Sequence, residues 1–109
     1  MPTTDLDLRS KILLSVQRAL VGCITSEMRF ISVEWSRYRI HLHVYVDGVM
    51  REDAYEDFDA EAMTQIVADF PYPDRDDPQV SCVFHRCDFP QKPDFEGDLV
   101  YGRKEDPVG

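Results

Sequence analysis

Between Asp5 and Cys23 apolar residues recur at three- and four-residue spacing. Ile12, Leu13, Val16, Leu20 and Cys23 form one stripe, and Arg9, Lys11, Gln17 and Arg18 lie mostly off it. That period predicts an amphipathic helix. Asp5 and Asp7 sit where negative charge meets the positive end of the helix dipole, and Gly22 marks a plausible end before a Thr25-Ser26 connector. The pattern then changes to alternation. From Met28 to Trp35, Ile31, Val33 and Trp35 share one face and Phe30, Ser32 and Glu34 the other. From Tyr38 to Val46, Ile40, Leu42, Val44 and Val46 alternate with Arg39, His41, His43 and Tyr45. Two strands joined at Ser36-Arg37 predict an antiparallel hairpin, closed at its far end by Asp47-Gly48.

Helical spacing returns from Glu52 to Phe70, where Phe58, Ala62, Ile66 and Phe70 make the stripe with Tyr55, Met63 and Val67 beside it. Pro71 ends this helix, since it has no N–H to donate and crowds the preceding turn. Residues 71–78 form an acidic, proline-rich loop, 79–87 a third strand, 88–97 a loop with Pro90 and Pro93, and 98–103 a short fourth strand. The order helix-strand-strand-helix-strand-strand predicts an α+β fold, an antiparallel sheet covered on one face by two helices. Within it Phe58, Ile66 and Val44 are expected to be buried.

A length of 109 residues accommodates one domain, residues 1–109, with 1–4 and 105–109 expected to fray. No run approaches the roughly 18 apolar residues of a membrane span, and no secretory signal opens the chain. Three cysteines, Cys23, Cys82 and Cys87, form an odd set without a CxxC pair, which suits a reducing cytoplasm better than a disulfide scaffold or thiolate zinc site.

Charge changes the picture more than composition does. The net charge is −9, and residues 51–77 hold 10 acidic residues against 2 basic ones. Such a field repels nucleic acid directly and attracts a basic protein, although a solubilising face accounts for charge alone equally well. Asp53, Asp57 and Glu61 repeat at i, i+4, where like charges repel at about 0.2–0.5 kcal/mol per pair. No Lys or Arg interrupts residues 53–74. Helix stability alone would place one there. Glu52, Asp53, Glu56, Asp57 and Glu61 on the helix, with Asp74, Asp76 and Asp77 on the loop, are therefore the candidate binding residues.

Searches for chemistry yield less. His41 and His43 share a strand face and with His85 could approach a metal, but HExxH and any fixed carboxylate spacing are absent. Ordinary exposed strand histidines are the simpler account of them. No cysteine sits at a helix start or nucleophile elbow, and GxSxG, GxGxxG and the phosphate-binding GxxxxGK motif do not occur. The residues call for no cofactor and no catalytic group. A small metal-binding or enzymatic domain built on the three histidines, and an oligomerising adaptor using the outer sheet face around Tyr38 and Tyr45, are the alternatives.

The runs Ile12–Gly22, Ile24-Thr25, Ile31–Trp35, Ile40–Leu42, Val46–Gly48, Arg51–Asp53, Ala68–Pro71, Asp88–Pro90 and Leu99–Tyr101 resemble small bacterial immunity proteins. These belong to contact-dependent growth inhibition and the related Maf polymorphic toxin systems. The resemblance spans residues 11–104, and the proline-rich loop at 71–78 departs from the pattern. It implies a non-enzymatic cytoplasmic inhibitor whose partner is the C-terminal domain of a cognate toxin, often a nuclease. It implies no cofactor, and homodimerisation stays open.

Overall fold

A computed structural model describes residues 5–36, 39–70, 79–95 and 97–105. Helix α1 (Asp5–Leu20) leads into the hairpin of β1 (Met28–Ser36) and β2 (Arg39–Val46). Helix α2 (Glu52–Phe58) continues through a π-helical segment (Asp59–Met63) into α3 (Thr64–Ala68), before β3 (Gln79–Arg86) and β4 (Asp98–Gly102). The chain is an α+β fold with a four-stranded sheet in the order β3-β2-β1-β4.

The hairpin forms in the expected antiparallel register, with Ile31 opposite Val44 and Val33 opposite Leu42. Strand β4 also pairs antiparallel with β1. The wholly antiparallel sheet does not hold, because β3 runs parallel to β2 from Arg39↔Gln79 to Val46↔Arg86. The reason is connectivity. Parallel neighbours need a long crossover, and the helical stretch between Val46 and Gln79 supplies it.

Ile12, Val16, Ile31, Val33, Ile40, Leu42, Val44, Phe58 and Ile66 form the centre of the core, each at most 2% exposed. The helices cover one sheet face. Helix α1 stops at Leu20, where Gly22 takes φ +81° and the Cys23 N–H donates to the Leu20 carbonyl at 2.9 Å. Cys23 thus lies beyond the helix and is only partly buried.

The π segment follows from the spacing of the stripe. Phe58, Ala62, Ile66 and Phe70 are all buried at four-residue intervals. At 100° per residue, each such step overshoots a full turn by about 40°, so the stripe would drift by about 120° across a regular helix. The wider i→i+5 turn takes up much of that drift and keeps the four residues in the core.

Charged groups tie the layers together. Asp98 accepts from Arg9 at 3.0 and 3.3 Å and from the Trp35 indole at 3.0 Å, joining β4 to α1 and β1. Asp69 accepts from Ser15 at 2.7 Å and Arg18 at 3.1 Å, joining the end of α3 to α1. Arg29 is fully buried. It donates to Glu105 at 2.6 and 3.0 Å and to the carbonyls of Cys87 and Gln91 at 2.6 Å each. The rings of Phe30 and Phe89 also lie within cation–π range. Glu105, expected to fray, is instead held by Arg29 and, at 2.9 Å, by Arg103. The other residues expected to fray, 1–4 and 106–109, lie outside the described residues.

Candidate functional site

Of the predicted binding residues, Glu52, Asp53, Glu56, Asp57 and Glu61 are all exposed on α2 and the π segment, and Asp59 adds a sixth exposed carboxylate. Asp74, Asp76 and Asp77 lie outside the described residues. The buried neighbours Phe58, Ala62 and Met63 hold the helix against the core and turn the acids outward. Within this row, and counting partners among the described residues, only Asp53 has a cationic one, Arg51 at 2.9 Å. With side chains 84% and 59% exposed, that pair contributes no more than about 1 kcal/mol.

Two carboxylates of the segment meet thiols instead of cations. Cys23 donates to Glu61 Oε2 at 3.7 Å and Cys82 to Asp59 Oδ1 at 3.9 Å. Burial, reinforced by the neighbouring carboxylate, pushes the Cys82 thiol up to about 11 and moves Cys23 in the same direction. Both stay protonated and leave the negative charge on the carboxylates. Asp57 and Glu61 line a recess of about 250 Å³ with Gly22, Cys23, Ile24, Thr25, Ala54 and Phe58. The sequence did not reveal this recess, because its other wall is the connector after α1, more than thirty residues away in the chain. The i, i+4 repeat of Asp57 and Glu61 was the one local signal.

The histidines gather on the opposite face of the sheet. The parallel register places His85 beside Tyr45, two pairs along from His43 and on the same face, and the His43 and His85 rings stack 5.1 Å apart. His43 Nε2 bonds Glu34 Oε1 at 2.5 Å, and His43 Nδ1 lies 2.9 Å from His85 Nε2. In the neutral tautomers, His85 donates to His43 and His43 donates to Glu34. Glu34 is the carboxylate that local spacing could not identify. It comes from the paired strand. His41 meets the His43 ring edge-on, centroids 4.7 Å apart, and its Nδ1 bonds Ser81 at 2.6 Å; burial lowers its pKa, with His43 adding to the effect. Among the described residues no three His, Cys, Asp or Glu side chains form a group able to hold a metal ion. Phe95 packs edge-on against Phe30 and Tyr45, and the Tyr45 hydroxyl donates to the Asp94 carbonyl at 3.2 Å. Asp94 and Phe95 therefore cover one end of this face.

Together these features define a small α+β fold with a row of exposed acids along one helical edge, paired with a cation among the described residues only at Asp53, and an internally bonded histidine cluster on the other side of its sheet. The sequence matches the family model of the MafI2 immunity protein over residues 9–105, and the chain belongs to that family. No curated protein matches it. The role of the family is immunity, which implies a cognate toxin as partner and an inhibitor rather than a catalyst. Among the described residues, no helix is long and apolar enough to cross a membrane.

Proposed function

We propose that this chain neutralises its toxin by seating the acidic edge of α2 and the π segment on a basic surface of the toxin domain. Within this reading the toxin is a nuclease, the covered surface is the one that contacts nucleic acid phosphates, and the complex forms in the cytoplasm. The observation carrying the reading is the row Glu52, Asp53, Glu56, Asp57, Asp59 and Glu61, exposed and, among the described residues, neutralised only at Asp53. Such a row adds repulsion to the free helix and attraction to a cationic partner. Asp74, Asp76 and Asp77 follow closely in sequence and would extend the same field.

The test is co-expression with the toxin domain encoded beside this gene. The chain is expected to restore growth and to co-purify with the toxin domain in a stable complex. It is also expected to block degradation of RNA or DNA by the purified toxin. Growth rescue without complex formation, or a complex that leaves the toxin fully active, would contradict the reading.

A further inference from the structure

The two edges of the sheet are built differently. Strand β4 closes one edge with five residues, and its pairing with β1 slips between Ile31 and Ser32. Short strands and irregular pairing blunt an edge against other chains. Strand β3, at the other edge, has neither. Its eight residues pair with β2 without a register shift, and Val80 to Phe84 include no charge, proline or glycine. The register fixes which backbone groups are spent on β2. The Cys87 N–H donates to the Val46 carbonyl at 2.8 Å, and Val46 stands opposite Arg86. Backbone groups alternate in direction along a strand, so those of His85, Val83 and Ser81 also face β2. Val80, Cys82 and Phe84 turn their N–H and C=O groups to the other side. Among the described residues, no strand pairs there and no loop hydrogen-bonds to them. None of the three is buried, whereas Leu42 and Val44 beside them are.

What flanks this edge says what it accepts. Cys82 bonds Asp59, and the Phe84 ring packs edge-on against Tyr55 at 4.7 Å and Phe58 at 5.5 Å, so α2 and the π segment lie over β3. Glu52, Glu56 and Asp59 fall at i, i+4 and i+7, which places them on one side of that helix, the side that Asp59 turns toward β3. All three are exposed. We propose that the free edge of β3 receives an extended basic segment of the toxin, which joins the sheet as a further strand beside these acids. The proposal rests on the acidic-surface reading above and adds backbone pairing to it. Main-chain hydrogen bonds to Val80, Cys82 and Phe84 supply affinity, and Lys or Arg side chains on the helix-facing side of the incoming strand supply selectivity. A second copy of this chain fits worse. Pairing β3 with β3 brings two acidic rows together on one side of the joined sheet, between chains of net charge −9 each.

Residue-resolved amide hydrogen exchange tests the edge in the unaltered chain. When free, the Val80, Cys82 and Phe84 amides are expected to exchange fast, and those of Ser81, Val83 and His85, which face β2, slowly. Binding of the toxin domain encoded beside this gene is expected to slow the first three about tenfold or more. Val80→Pro removes an outward N–H and obstructs the incoming strand while sparing the β2 ladder. It is expected to weaken toxin binding about tenfold or more, with a melting temperature near that of the wild type. Val80→Thr, which keeps the N–H, is expected to bind as the wild type does. Unchanged exchange of the three amides in the complex, with wild-type affinity of Val80→Pro, overturns the added strand. In that case, slowed association after Lys replaces Glu56, Asp57 and Glu61 together leaves the acidic-surface reading standing. Slowed exchange of the edge amides with wild-type association of that triple variant overturns the acidic-surface reading and the basic character assigned to the strand. Slow exchange of these amides in the free chain that fades on dilution puts a second copy on the edge and also overturns the proposal.

Discussion

Replacing Arg29 by Met tests the central packing claim about the edge of this fold. The side chain is 1% exposed, and its guanidinium holds Glu105 and the carbonyls of Cys87 and Gln91 while lying against Phe30 and Phe89. Met keeps most of the aliphatic stem and its contact with the two rings, so the cost comes from polar groups left behind. Glu105 retains Arg103 at 2.9 Å and is 15% exposed, so it is not stranded. The two carbonyls lose a charged donor each. Breaking a buried pair on one side costs about 3–5 kcal/mol, and an orphaned buried acceptor costs about 1–3 kcal/mol. The terms overlap, and the Arg103 contact offsets part of them, which places the expectation near 3 kcal/mol. Against a total stability of about 5–15 kcal/mol for a domain of this size, that is a large share. Urea unfolding followed by tryptophan fluorescence is the assay, with the slope compared to confirm that midpoint changes report stability. Hydrogen exchange should show the 87–91 segment and Glu105 loosening first. A loss below about 1 kcal/mol would mean that the Arg29 clamp is not what fastens the C-terminal segment to the sheet.

Phe58→Ala should cost about 3–5 kcal/mol in the same assay, since Phe58 is 2% exposed and packs edge-on against Phe84; a wild-type midpoint would refute the placement of α2. Gly97→Ala should cost more than about 2 kcal/mol. Gly97 has φ +81°, and an added Cβ would stand 2.1 Å from the Val33 carbonyl oxygen, which forces the backbone to shift. Gly22→Ala, with the same φ but open space, should cost only the conformational ~1–2 kcal/mol, and equal losses at the two sites would contradict this account. Stability should fall with acid for two reasons of the same sign. Burial lowers the His41 pKa, so the unfolded chain binds that proton first as pH drops below about 6.5. Arg29 lowers that of Glu105, whose contribution is present above its unfolded value near 4.3 and is lost as pH falls through the folded one. A melting temperature flat from pH 7 to 3 would refute both assignments.

The elements that local pattern controls were legible in the sequence. The stripe from Ile12 to Leu20 is set by burial on one face, and the alternation from Ile40 to Val46 marks its core face; that His43 and Tyr45 on the other face are also buried, instead of exposed, depends on neighbours distant in sequence. The neighbour of β2 was not legible, because nothing in residues 79–86 says which free edge they join; the crossover between Val46 and Gln79 decides it. Arg29 looked like an ordinary strand cation. Its partners lie 58 to 76 residues away, beyond any local signal. Glu34 and His85 meet His43 only through two different strand pairings. The acidic row was legible because charge is additive along a helix, whereas the recess it borders depends on how Gly22 turns the chain back toward α2.

The most direct test of the functional account is the association rate of the toxin domain with a variant carrying Lys at Glu56, Asp57 and Glu61. The three side chains are exposed and lie beyond the first helical turn, so folding should be little changed: a Lys at position 57 makes an attractive i, i+4 pair with Asp53, while positions 57 and 61 stay like-charged. The account predicts association slowed by an order of magnitude or more at low salt. The deficit should shrink as added salt brings the Debye length below about 10 Å. Wild-type association at every salt concentration, with folding intact, would contradict it.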